Sequence, residues 1–115
     1  MSARASRPRP APAPVFAALG DETRLRIVAR LCSEGPLPIV RLAETADVTR
    51  QAVTKHLMTL AGAGLVRGQR SGREKLWQVD RRRLAEARQW LDHASAQWDE
   101  ARDRLRAWAG HPRRK

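Results

Sequence analysis

Apolar positions along this chain recur first at helical spacing, then in alternation, then in sevens. Val15 to Leu19 predicts a short helix closed by Gly20. Asp21 stands as the N-cap of a second helix reaching about Ser33, with Leu25, Val28, Ala29 and Leu31 on one stripe and Ile27 widening it. Glu34-Gly35-Pro36 ends that helix. A third is expected from near Pro38, since the first turn tolerates a missing N–H, through Ile39, Val40, Leu42 and Ala43 to Ala46. After a tight turn at Asp47-Val48, Thr49 caps a fourth helix running to about Ala61, with Gly62 and Gly64 punctuating its end.

Leu65 to Arg70 and Glu74 to Val79 then read as two strands joined around Ser71-Gly72-Arg73. From about Arg81 a last helix runs to Ala109, close to 40 Å long at about 1.5 Å per residue. Leu84, Leu91, Trp98 and Leu105 repeat every seven residues along it, and Ala87, Ala94, Ala101 and Trp108 repeat on the adjacent line. Such an a/d seam on a helix that overhangs a small domain needs a partner. It predicts self-association through Leu84, Leu91, Ala94, Trp98, Ala101, Leu105 and Trp108, with Val15, Phe16 and Leu19 from the first helix as neighbours. Trp90 lies just off the seam and has no role assigned by spacing.

The expected fold is mainly α with a β-hairpin wing: a winged helix-turn-helix of five helices. Residues 1–14 are expected to form a disordered basic Pro-rich tail, 15–80 the winged domain, 81–109 the dimerisation helix, and 110–115 a second basic tail.

Charge sharpens this picture. The chain has 115 residues, 23 Lys and Arg against 12 Asp and Glu, and a formal net charge of +11. A balance so basic points to a polyanion, nucleic acid before membrane. Arg50, Lys55, Arg67, Arg70, Arg73, Lys75, Arg81, Arg82 and Arg83 face only Glu74 and Asp80 between positions 49 and 83. The flanking helical segments are near neutral. No apolar run approaches the roughly 20 residues of a membrane span, and the N-terminus carries Arg and Pro where a signal peptide needs an apolar stretch. A cytoplasmic protein is expected. Its single cysteine, Cys32, excludes an internal disulfide and is expected to be a buried core thiol.

The basic segment coincides with a motif. Ile39 to Leu57 spells two helices across a turn. Ala43 is small enough for a close crossing, Val48 and Val53 fill the angle, and Val53, Leu57 and Leu60 turn inward. The opposite stripe carries Gln51, Thr54, Lys55 and Met58, with Arg50 beside it. These side chains suit base edges and phosphates in a major groove. Thr49 and Arg50 sit at the helix N-terminus, where the dipole favours phosphate. The hairpin that follows places Arg67, Arg70, Arg73 and Lys75 around a Gly-bearing tip, suited to a backbone or a minor groove.

Phe16 to Ile27 (Phe-Ala-Ala-Leu-Gly-Asp-Glu-Thr-Arg-Leu-Arg-Ile) resembles the opening signature of the ArsR/SmtB family of winged helix-turn-helix repressors. Thr49 to Leu57, then Ala63-Gly64-Leu65-Val66 and Gly72-Arg73, are similar to the same family in order and spacing. The resemblance covers roughly residues 15–109. It implies a homodimer on an imperfect inverted repeat of double-stranded DNA that blocks transcription. On it, Thr49, Arg50, Gln51, Thr54 and Lys55 fall on recognition-helix positions and residues 70–75 on the wing.

Metal-sensing members of that family carry ligands that this sequence lacks. Gly35 to Val40 holds neither Cys nor His, and one Cys cannot supply a thiolate set. Asp92 and His93, adjacent on the last helix, point about 100° apart. His56 reads as a structural or phosphate-contacting residue. No metal, no cofactor and no identified small-molecule effector is expected, although the seam has room for an apolar one. No phosphate loop or nucleophile–base pair supports an enzyme. The alternative to a sequence-specific regulator is an architectural DNA-binding protein with little sequence preference.

Overall fold

The computed structural model describes residues 12–44 and 48–110. The expected turn at Asp47, the end of the third helix at Ala46, and most of both basic tails lie outside the described residues. The elements in chain order are α1 (Ala13–Leu19), α2 (Glu22–Glu34), β1 (Leu37–Pro38), α3 (Ile39–Glu44), α4 (Arg50–Gly62), β2 (Val66–Ser71), β3 (Glu74–Val79) and α5 (Arg81–Gly110). They form a winged helix-turn-helix with a long final helix, as the periodicity predicts.

Each boundary has a local cause. The Asp21 carboxylate accepts from the Arg24 N–H at 3.0 Å and caps α2. The Thr49 hydroxyl accepts from the Ala52 N–H at 3.1 Å and caps α4. At the other end of α4, Gly64 takes φ +80. The N–H groups of Gly64 and Leu65 donate to Ala61 and Leu60 at 2.9 and 3.0 Å, the paired bonds of a Schellman stop. Leu60 and Leu65 beside it are fully buried, so one glycine turns the chain from α4 to the hairpin without exposing the core. Asp80 then caps α5, its Oδ1 accepting from the N–H groups of Arg82 and Arg83.

The core joins Val15 and Ala18 of α1, Ile27, Val28 and Leu31 of α2, Leu42 of α3, Val53, Leu57 and Leu60 of α4, and Leu65, Val66 and Trp77 from the wing side. Burying a side chain of this kind contributes roughly 1.5–3 kcal/mol. The three-stranded antiparallel sheet has the order β1-β3-β2.

Several expectations are corrected. The buried stripe of α2 is Ile27, Val28 and Leu31, whereas Leu25 is half exposed and Ala29 exposed, because successive residues turn by about 100° and only one stripe meets the core. Cys32 follows Leu31 off that stripe and is exposed, not a core thiol. Leu37-Pro38 is not the start of α3 but a short strand, paired Leu37 to Trp77 and Pro38 to Leu76. It lies at the sheet edge, where proline's missing N–H is tolerated. Val15, expected in the dimer seam, has no exposed surface within the protomer; it anchors α1 to the core and has nothing left to offer a partner. Trp90, unplaced by spacing, packs edge-on against Phe16 with ring centroids 5.7 Å apart, which fixes α1 to α5.

Candidate nucleic-acid interface

The two faces of α4 divide as their residues dictate. Val53, Leu57 and Leu60 are fully buried. Arg50, Gln51 and Lys55 are exposed, Thr54 is partly so, and Met58 lies half exposed on the same outward stripe. Two of the expected contact residues also serve the helix itself. Thr49 gives its hydroxyl to the N-cap, and the Thr54 hydroxyl donates to the Arg50 carbonyl at 2.9 Å. Arg50, Gln51 and Lys55 therefore carry the side-chain polar groups of this face that make no hydrogen bond within the described residues.

A second layer holds this helix from behind. Arg24 of α2 donates from Nε to the Ala18 carbonyl at 2.6 Å, at the end of α1, and its Nη1 lies 3.3 Å from Nδ1 of His56. An Arg cannot accept, so this contact requires a lone pair on Nδ1, as in the tautomer protonated at Nε2. His56 is thus a structural partner on α4, as its place beside Lys55 suggests. The Asp21 carboxyl is held below its usual range, chiefly by the Arg24 backbone N–H and further by the Arg24 charge. At the far end of α4, Arg83 donates from Nε to the Ala63 carbonyl at 3.0 Å and pairs with Glu86 at 2.9 Å. Helix α4 is thereby tied to α1 and α2 near its middle and to α5 at its C-terminal end.

The wing is a two-residue hairpin. Gly72 at φ +65 and Arg73 form the turn, and with positive φ only at its first central position the turn belongs to type II′. Strand alternation separates the cations. Arg70 stands opposite Lys75 on the face that carries Val66 and Trp77. Lys75 lies with Nζ 4.8 Å from the centre of the Trp77 ring, over Gly68, where any side chain would collide with it. Like charges directly opposed destabilise a hairpin, so the Arg70–Lys75 pair is a feature that a polyanion would relieve. Arg67 departs from the expected cluster at the tip. It pairs with Gln78 near the hairpin base and projects, one residue out of phase, to the opposite face with Gln69 and Leu76. Gln69 and Gln78 hydrogen-bond across that face at 3.0 Å.

Among the described residues no three His, Cys, Asp or Glu side chains come together as a metal site, and Asp92 and His93 stay exposed on α5. No described helix is long and apolar enough to cross a membrane.

Comparison with known proteins agrees with this geometry. A family described as a helix-turn-helix domain matches residues 19–69. The HTH-type transcriptional regulator Rv2034 of Mycobacterium tuberculosis is 43% identical over 75 residues, 65% of this chain and 69% of that protein. The arsenic resistance transcriptional regulator ArsR1 of Pseudomonas putida is 32% identical over 78 residues, 68% of this chain and 58% of its own length. Among solved structures, an ArsR-like transcriptional regulator from Rhodococcus sp. RHA1 superposes with a TM-score of 0.76 at 34% identity, over 87% of this chain and 93% of that one.

Proposed function

This chain belongs to the ArsR/SmtB family of winged helix-turn-helix transcriptional regulators, and from that premise we propose that it represses transcription as a homodimer on an inverted-repeat operator. It is a DNA-binding regulator and not an enzyme. The observation that carries the finer reading is the outward stripe of α4, Arg50, Gln51, Thr54 and Lys55, flanked by the cationic wing tip of Arg70, Arg73 and Lys75. Gln and Arg read base edges by paired hydrogen bonds, and the wing cations hold backbone.

The dimer rests on α5. Leu91, Trp98, Leu105 and Trp108 are half to two-thirds exposed within the protomer, a long apolar seam that water disfavours. Leu84 and Ala87 at its root already pack on the protomer's own core, so the outer part, from Leu91 and Ala94 through Ala101 to Trp108, is the part available to a second copy. Phe16 and Leu19, both half-buried, flank its root.

A promoter footprint with reporter assays tests the reading. Protection of two half-sites, with lower expression when the protein is present, supports it. Replacing Gln51 or Thr54 should blur sequence preference, and replacing Arg70 or Arg73 should weaken all sequences alike. Uniform coverage without a preferred repeat favours the architectural alternative.

A further inference from the structure

On the outer face of the wing, away from the Arg70–Lys75 pair, an open groove of about 410 Å³ runs between the hairpin base and the start of α5. It is lined by Arg67 from β2, Gln78 and Val79 from β3, and Asp80, Arg81 and Arg82 at the root of α5. Three guanidinium-bearing residues from two different elements thus share one concavity. Among the described residues none of the three has an ion-pair partner. The one carboxylate present, Asp80, is engaged through Oδ1 with the N–H groups of Arg82 and Arg83. Asp80 keeps its negative charge, so the three guanidiniums exceed the carboxylate charge of the groove by two. Other arginines do pair with acids, among them Arg26 with Glu22, Arg30 with Glu34 and Arg83 with Glu86, whereas Arg50, Arg70, Arg104 and Arg106 also lack an acid partner among the described residues.

We propose that the Arg67–Arg81–Arg82 groove is a phosphate-binding site, distinct from the recognition stripe and from the wing tip. Guanidinium groups present paired N–H donors that match phosphate oxygens. Gln78 already bonds Gln69 through its amide and so shapes the wall. The site is also stiffly mounted. Asp80 donates its N–H to the Leu65 carbonyl at 2.7 Å, and Arg83 is anchored on the Ala63 carbonyl. A phosphate held here bridges the wing strand and the root of the dimerisation helix. Its source is either the DNA backbone beside the wing or a free phosphoanion, and the test has one arm for each.

Both arms use the full chain and compare wild type with Arg81→Gln/Arg82→Gln and with Arg67→Gln. Arg104→Gln/Arg106→Gln, at the exposed far end of α5, is the control with equal charge loss, and circular dichroism checks that every variant folds. In the first arm, affinity for one duplex is measured against salt. Each lost phosphate contact lowers the slope of log K on log salt by roughly 0.9, so the Arg81/Arg82 variant should lose about 1–2 and the control clearly less. In the second arm, inorganic pyrophosphate is titrated while arginine Nε–H resonances are followed by NMR. Saturable shifts in wild type that vanish in the groove variants identify a free phosphoanion. A slope loss beyond the control without saturable shifts identifies backbone phosphate. Variant and control slopes that agree, together with no saturable shift, overturn the proposal. Only the first arm rests on the DNA-binding reading: a wild-type chain that binds no duplex refutes that reading, and the pyrophosphate arm then decides this one.

Discussion

Arg24 on α2 and His56 on α4 meet through Nη1 and Nδ1 at 3.3 Å, while the same guanidinium grips the Ala18 carbonyl. One side chain therefore sets the distance between the end of α1 and the middle of α4. A double-mutant cycle with Arg24→Ala and His56→Ala should give a coupling of about 1 kcal/mol in urea unfolding. Arg24→Ala alone should cost more than His56→Ala alone, because it also abandons the Ala18 carbonyl. Additive losses would mean that the contact contributes nothing.

The indole N–H of Trp77 is buried without an acceptor among the described residues. Leaving such a donor unpaired costs about 1–3 kcal/mol. Trp77→Phe removes the donor together with some apolar area, so the variant should stay within about 1 kcal/mol of wild type. Trp77→Ala should lose about 3–5 kcal/mol. Thermal denaturation separates the two, and a Phe variant as damaged as the Ala variant would refute this account of the site.

Trp98 and Leu105 are about two-thirds exposed within the protomer, so changing them removes nothing from its own core. Trp98→Glu/Leu105→Glu should leave the winged domain folded and yield monomers in sedimentation at micromolar concentration, where the proposed dimer requires wild type to sediment as a pair. DNA affinity should fall with it, because two half-sites are no longer bound together. A variant that still sediments as a dimer would exclude this seam as the interface.

Asp21 gives the pH dependence a sign. Its carboxyl is held below its ordinary value near 3.8, first by the Arg24 N–H. A depressed folded value means the contribution is complete above the unfolded value and is lost as pH falls through the folded one. Asp21→Ala should therefore melt below wild type at neutral pH, and the gap should narrow only below pH 3.8, as the protonated carboxyl keeps a weaker capping oxygen. Asp21→Asn, which keeps a capping oxygen, should melt between the two. A gap that is unchanged at low pH would contradict the cap.

Most of the fold was legible because its signals are local. Asp21, Thr49, Gly64 and Gly72 mark boundaries through their own backbone chemistry, and the sevenfold repeat of α5 needs no tertiary knowledge. The failures are tertiary. Leu25, Ala29 and Cys32 lie on α2 within reach of an apolar stripe, and only the direction of the core decides which stripe is buried. Leu37-Pro38 became a strand because β3 offers an edge. Arg67 was grouped with the wing tip by its nearness in sequence, yet strand alternation turns it to the other face. The partnership of Arg24 with His56 spans 32 positions, and no spacing rule links them.

The reading of the α4 stripe is tested most directly by selecting bound duplexes from a random pool with purified protein and sequencing them. The account predicts enrichment of an inverted repeat whose half-sites lie about one helical turn, or a multiple of it, apart, with Gln51→Ala relaxing specified bases inside each half-site. A pool that emerges as random as it entered, from protein that still binds duplex, would contradict it.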